Sequence, residues 1–119
     1  VAYVDGFVLP VPKKKLAAYR RMARKAGKIW VEHGALEYVE CVGEDLAPKG
    51  CVPFTRSVRL ARGETVVFSW IRYRSRAHRD RVNALAMKDP RLAKMMDPAA
   101  LPFDAKRLIY GGFEVLVAL

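Results

Sequence analysis

The chain has 119 residues, with 22 Lys and Arg against 12 Asp and Glu, for a formal net charge of +10. That length suits one domain over residues 1–119, able to bury roughly two thirds of its unfolded surface without a metal or disulfide staple. A hydrophobic content of 52% excludes a disordered chain, two cysteines are too few for a disulfide scaffold, and no apolar run approaches the roughly 20 residues of a membrane span. Val1 to Pro10 carries Asp5 and no basic n-region, so it does not read as a signal peptide. The expectation is a cytoplasmic protein with reduced thiols and no membrane partner. The charge favours nucleic acid, acidic lipid or small anions as partners without choosing among them.

In chain order, Ala2 to Leu9 is short, rich in strand formers and bounded by Pro10 and Pro12, which predicts a strand. Pro12 to His33 predicts a helix, with Pro12 in its first turn and Gly34 as its stop. Leu16, Tyr19, Met22, Ala23, Ala26, Ile29 and Trp30 recur at three and four residues and form its apolar stripe. Lys13, Lys14, Arg21, Arg24, Lys25 and Lys28 lie largely off that stripe and read first as a solvated face. Ala35 to Val42 predicts a second strand. Gly43 to Gly63 is irregular, long enough to need a role or some structure of its own, with a short strand or turn expected over Val52 to Leu60. Glu64 to Tyr73 is the clearest strand. Ser75 caps a helix running to about Lys88, Asp89-Pro90 breaks it, and Arg91 to Met96 forms a short helix. Arg107 to Val117 is the last strand, and the small pair Gly111-Gly112 inside it marks a bulge or a close backbone approach.

The order β-α-β-β-α-β is the split βαβ, ferredoxin-like arrangement: an α+β fold with one antiparallel sheet and both helices on one face. The more uniformly apolar strand face, with Val4, Gly6, Val8, Val39, Cys41, Val67, Ile71, Ile109, Phe113, Val115 and Val117, is expected beneath the helices. The other face then carries Tyr3, Asp5, Phe7, Tyr38, Glu40, Phe68, Trp70, Arg72, Tyr110, Gly112 and Glu114. So many rings are not needed in water, and unpaired carboxylates do not suit plain packing. Something with polar contacts to make is expected to cover that face.

The stretches Y-V-D-G-F-V-L-P-V-P (3 to 12), W-V-E-H-G-A-L-E-Y-V-E-C (30 to 41), V-F-S-W-I-R-Y-R-S-R-A-H-R-D-R-V-N (67 to 83), K-D-P-R-L (88 to 92) and I-Y-G-G-F-E-V-L-V (109 to 117) resemble the YbaA-like bacterial family. That family carries a domain of unknown function within the dimeric α+β-barrel superfamily. The resemblance covers essentially the whole chain. It implies a ferredoxin-like subunit whose open sheet face packs against a twin, giving a homodimeric barrel, and it implies no activity. The wider superfamily includes cofactor-free monooxygenases, haem-degrading monooxygenases and isomerases. Its haem-degrading branch uses an Asn on the first strand, a Trp on the third and a His about two turns into the second helix. Here Asp5 stands for the Asn, Trp70 matches, and Val82-Asn83 stands where the His would be, with His78 a turn earlier. No haem and no other cofactor is expected.

Asp5, Glu40 and Glu114 are candidate general bases for proton abstraction, or else interface ion-pair partners of Arg72 or of a twin's arginine. His78, sharing a helix side with Val82 and Leu85, is a candidate acid or base near the sheet rim, or part of a helix-terminal network. His33 reads as a helix C-terminal residue. Cys41 reads as a small buried residue, Cys41 and Cys51 lack redox or zinc spacing, and no metal site is expected. Asp5, Glu40 and His78 are thus the candidate catalytic residues, and Tyr3, Phe7, Tyr38, Phe68, Trp70, Arg72 and Tyr110 the candidate ligand contacts. The expected role is a homodimeric barrel that handles a small apolar or aromatic molecule, as a cofactor-free oxygenase or isomerase or as a non-catalytic binder.

The rival class is an RNA-recognition module. Phe68 to Tyr73 resembles the end of its third-strand aromatic pattern, and Tyr3 would be the first-strand ring. Against it, Val66-Val67 replace the basic residue and Gly of that pattern, and the three carboxylates would meet phosphates.

Overall fold

The computed structural model describes residues 1–119. Four strands form one antiparallel sheet: β1 (Tyr3–Pro12), β2 (Glu37–Val42), β3 (Glu64–Tyr73) and β4 (Ile109–Glu114), in the spatial order β2-β3-β1-β4. The helices are α1 (Leu16–Glu32), α2 (Phe54–Ser57), α3 (Arg76–Met87) and α4 (Pro90–Met95). No helix is long and apolar enough to cross a membrane.

Local chemistry sets most boundaries. Gly34, at φ +120°, ends α1 one residue beyond its cap, His33. Ser75 accepts a hydrogen bond from the His78 N–H and opens α3, and Asp89 does the same for α4 with the Arg91 N–H. The expected strand or turn over Val52 to Leu60 is instead a single helical turn, α2. The last strand is shorter than expected: Ala105–Arg107 is a 3-10 turn, and beyond Glu114 only the Val115 N–H continues the pairing, donating to Ala2 O just ahead of β1.

Strand β1 runs through Pro10 to Pro12, past the limit its prolines suggested. The Lys13 N–H donates to Gly63 O, so odd-numbered residues of this stretch hydrogen-bond towards β3 and even-numbered ones towards β4. Pairing with β4 stops at Val8↔Ile109. Both prolines therefore turn their missing N–H to a side without a paired strand, where no ladder hydrogen bond is lost.

The core lies between the sheet and the layer of α1, α3 and α4. Tyr19 and Ala23 of α1 pack on Leu9, Val11 and Val67. Val82 of α3 packs on Tyr3, Ile71 and Tyr73, and Ala26 and Ile29 meet Ala86 and Leu92. Each fully buried Val, Leu or Ile side chain here contributes about 1.5–3 kcal/mol. At their junction Asn83 Oδ1 accepts from Trp30 Nε1–H at 2.9 Å and from the Tyr73 hydroxyl at 3.2 Å.

The register corrects the expected faces. Tyr3 pairs with Tyr73, Asp5 with Ile71, Phe7 with Ser69 and Leu9 with Val67, so odd residues of β1 share the helix side with odd residues of β3. On β2, Tyr38 and Glu40 lie on that same side, opposite Ile71 and Ser69. On β4, Tyr110, Gly112 and Glu114 join them, opposite Phe7, Asp5 and Tyr3. Only β3 has the expected orientation. The open face carries Val4, Gly6, Val8, Val39, Cys41, Phe68, Trp70, Arg72, Ile109 and Phe113. Cys41, expected to be buried, is exposed there because β2 is an edge strand. A shift of parity moves every side chain of a strand to the other face. The mixed aromatic and acidic face is thus split between the two sides of the sheet.

Candidate functional site

Two polar clusters sit on the helix side of the sheet. The first is the floor of a groove between α1 and the β2 edge. Glu40 Oε1 accepts from the Tyr19 hydroxyl at 2.8 Å, and Glu40 Oε2 accepts from the Tyr38 hydroxyl at 2.7 Å. Burial, reinforced by the Glu40 charge, pushes both phenols far above their ordinary range, so both hydroxyls remain protonated donors. Gly27, in the middle of α1, brings the three together. A Cβ at that position would stand 2.6 Å from one carbon of the Tyr38 ring, so only Gly lets the ring lie against the helix.

The groove forms a partly open cavity of about 760 Å³. Leu16, Ala23, Val31, Val42 and Val67 give it apolar walls, with Glu40 and its two tyrosines as the polar floor. Arg20, Arg24 and Lys28 follow one another at four-residue steps along its α1 side, and none has a carboxylate within ion-pair distance. The one acid on that side, Glu32, is paired with Arg91 at 2.6 Å, which also holds its carboxyl below the usual range.

The second cluster surrounds Asp5, which is 1% exposed. Arg79 Nη1 donates to Asp5 Oδ1 at 2.6 Å and to the Tyr110 hydroxyl at 2.8 Å, while Arg79 Nε donates to Asp80 at 2.7 Å. The guanidinium lies 4.8 Å above the Tyr3 ring centroid, and Phe7 packs on Tyr110 with centroids 5.0 Å apart. Gly112 is where the Tyr3 ring crosses the β4 backbone: a Cβ there would collide with it, which is the close approach expected of the Gly pair. Asp5 is thus held as the buried partner of an ion pair with Arg79.

His78 belongs to neither cluster. Its Nδ1 accepts from the Arg74 N–H at 3.0 Å, so its proton sits on Nε2, and its ring stands edge-on to Tyr73. Burial, with Arg74 and Arg81 nearby, lowers its pKa and keeps it neutral. Its helix side continues through Val82 and Ala86 rather than through exposed Leu85. His33, at the end of α1, meets Asp89 Oδ2 at 2.9 Å.

Apart from His78, which stands alone at the start of α3, the sequence-derived site residues divide three ways. Tyr38 and Glu40 line the groove. Tyr3, Asp5, Phe7 and Tyr110 form the Arg79 cluster. Phe68, Trp70 and Arg72 occupy the open face, where Trp70 Nε1–H donates to Glu37 Oε1 at 3.0 Å. Sequence reasoning passed over Tyr19, which it took as core, and also Gly27 and Arg79. A lone Gly inside an otherwise regular helical stripe was the available signal for Gly27. The loop from Gly43 to Gly63 places α2 at one end of the open face, where Phe54 packs on Phe68. Arg107 anchors it, donating to Glu64 and to the carbonyls of Val58 and Arg59.

Fold and site together define a small α+β protein with one antiparallel sheet, a groove beneath its first helix and a bare apolar face behind. The chain belongs to the family described as "Protein of unknown function (DUF1428)", whose model matches residues 2–105. It is 46% identical over 115 residues to "Uncharacterized protein YbaA" of Escherichia coli K12, covering 97% of each chain, and equally similar to YbaA of Shigella flexneri. Among solved structures, the de novo designed protein Foldit4 overlaps 94% of this chain and 92% of its own, at 12% identity and a TM-score of 0.46. A likeness of that size carries no argument.

Proposed function

We propose that the protein is a homodimeric binder of a small apolar or aromatic molecule, held in each subunit between α1 and β2. The cavity of about 760 Å³ carries this reading, because it joins apolar walls to one built polar floor, Tyr19–Glu40–Tyr38. Its size falls within the roughly 300–1,000 Å³ typical of small-molecule sites. Should the bound molecule be turned over, Glu40 is the carboxylate that meets it, and isomerase or cofactor-free oxygenase chemistry would begin with proton transfer there.

The strand order β2-β3-β1-β4, with α1 and α3 over the same face, supports a ferredoxin-like subunit. The open face supports a twin as its cover. Phe68 is 41% and Phe113 61% exposed there, beside Val4, Val8, Val39 and Ile109. Apolar patches of this kind mark interaction surfaces. Phe68 and Trp70 also suit stacked RNA bases, and this is the observation in favour of the rival class. Phosphates would find little there, however. Arg72 lies 4.0 Å from Glu37, and the row of unpaired cations Arg20, Arg24 and Lys28 stands on α1, across the sheet, leaving Arg56 of α2 as a cation at one end of the open face.

Native mass spectrometry of the purified protein tests both halves. The expected species is a dimer with retained small-molecule mass. Tyr38→Ala should lose that mass and Trp70→Ala should keep it. A clean monomer would refute the twin, and retention of the mass by Tyr38→Ala would refute the groove.

A further inference from the structure

We propose that the ligand of the α1–β2 groove is an amphipathic anion. Its carboxylate or phosphate head is held by Arg20, Arg24 and Lys28, and a hydroxyl or amine at its other end donates to the tyrosine oxygens of the floor. This inference rests on the groove being the binding site and adds the chemical class of the occupant.

Two observations fix the two ends. On the α1 side, three cations at four-residue steps face the cavity with no protein carboxylate to neutralise them, while Glu32 is already held by Arg91. Such a row of unmatched charge over an apolar wall attracts an anion whose body can be buried. From Pro12 to Val31 the chain has no acidic residue at all, so nothing on this helix opposes that attraction before Glu32.

At the floor, the direction of the hydrogen bonds decides. Both phenol protons point at Glu40, one to each carboxylate oxygen. The remaining capacity of the phenol oxygens and of the carboxylate is for accepting only. A ligand carbonyl or ether placed there would face acceptors and find no donor, whereas a hydroxyl or amine finds partners. The floor therefore selects for a donor, and the α1 side selects for a negative charge.

The test uses four probes with the full-length protein: para-hydroxyphenylpropionate, phenylpropionate, para-hydroxyphenylethanol and para-hydroxyphenylethyl phosphate. Affinities come from calorimetry and the location from amide and tyrosine NMR shifts. The hydroxyphenyl acid is expected to bind with shifts at Tyr19 and Tyr38. Removing either its carboxylate or its phenol hydroxyl should weaken it about tenfold. The phosphate probe, compared with the acid, identifies which head the cations prefer. Arg24 is exposed and unpaired, so Arg24→Gln should fold normally. It should weaken the acid about tenfold while leaving para-hydroxyphenylethanol unchanged, with Lys28→Gln acting in the same direction. Equal binding of acid and alcohol at Tyr19 and Tyr38, or an acid affinity untouched by both substitutions, would overturn the inference and leave the groove reading standing. Shifts confined to other surfaces, or no binding by any probe, would overturn both.

Discussion

Replacing Gly27 by Ala separates this packing from an ordinary helix. In an exposed helix interior, Gly→Ala stabilises by about 1 kcal/mol. Here the new methyl would stand 2.6 Å and 2.8 Å from two carbons of the Tyr38 ring and 3.1 Å from its root at Cγ. Carbon atoms ordinarily meet at about 3.5–4.0 Å, so the ring must retreat by roughly 1 Å. Because the root of the ring is also too close, rotation about χ2 does not relieve the contact. Overpacking of this kind costs about 1–3 kcal/mol, and the retreat also strains a hydrogen bond to a charged acceptor, Glu40, worth about 1.5–3 kcal/mol when intact. Against the helix gain, a net loss of about 1–3 kcal/mol is expected. Urea denaturation followed by tryptophan fluorescence measures it. The sign should reverse in a Tyr38→Ala background, where the same substitution should stabilise by about 1 kcal/mol. Stabilisation by Gly27→Ala in the otherwise unaltered protein would refute the placement of Tyr38 against α1.

Arg79→Met leaves Asp5 buried without its cation and should cost about 3–5 kcal/mol in the same assay. The double variant Asp5→Asn/Arg79→Met should lose less than the two single losses combined, and simple addition would refute a coupled pair. Arg91 and His33 hold the Asp89 carboxyl well below the usual range. A carboxylate depressed in this way adds stability above its unfolded pKa and gives it up as the pH falls through the folded one. Asp89→Asn, which keeps the helix cap, should thus be less stable than the parent at neutral pH, with the gap closing below about pH 4. A gap unchanged down to strongly acidic pH would refute that account. Arg107→Gln, which releases the loop carbonyls of Val58 and Arg59, should speed proteolytic cleavage between Gly43 and Gly63. Unchanged cleavage would show that the loop is held by other contacts.

Much of the fold was legible because its signals are local. Ser75, Gly34 and Asp89-Pro90 act within a few residues of themselves, and β3 was read to its true limits. The sheet faces were not legible, for a physical reason. Asp5 and Glu40 looked like residues of the face away from the helices because a lone carboxylate is costly to bury in a helix-covered core. Their partners come from elsewhere in the chain: Arg79 lies 74 residues from Asp5, and Tyr19 lies 21 residues from Glu40. On β1 both parities are rich in strand formers, so one misplaced carboxylate was enough to choose the wrong side. On β3 the alternation of Val67, Ser69 and Ile71 with Phe68, Trp70 and Arg72 left less room for that error. The groove floor was half visible. Tyr38 and Glu40 were singled out together, whereas Tyr19 was read only as part of the helix stripe.

The prolines of β1 have a consequence for how the sheet is assembled. From Leu9 to Pro12 this strand has β3 on one side and no strand on the other. A strand border left without a paired strand over that length would ordinarily invite β4 to slide along it, or a strand from a neighbouring molecule to zip onto it. Pro10 and Pro12 stand at the two positions whose N–H groups would have pointed that way. With those donors absent, a sliding or foreign strand finds only the Pro10 and Pro12 carbonyls beyond Val8 and forfeits the ladder bonds that two N–H groups would have supplied. The prolines act as a ratchet stop that fixes the registration of β4 and blunts the border against aggregation.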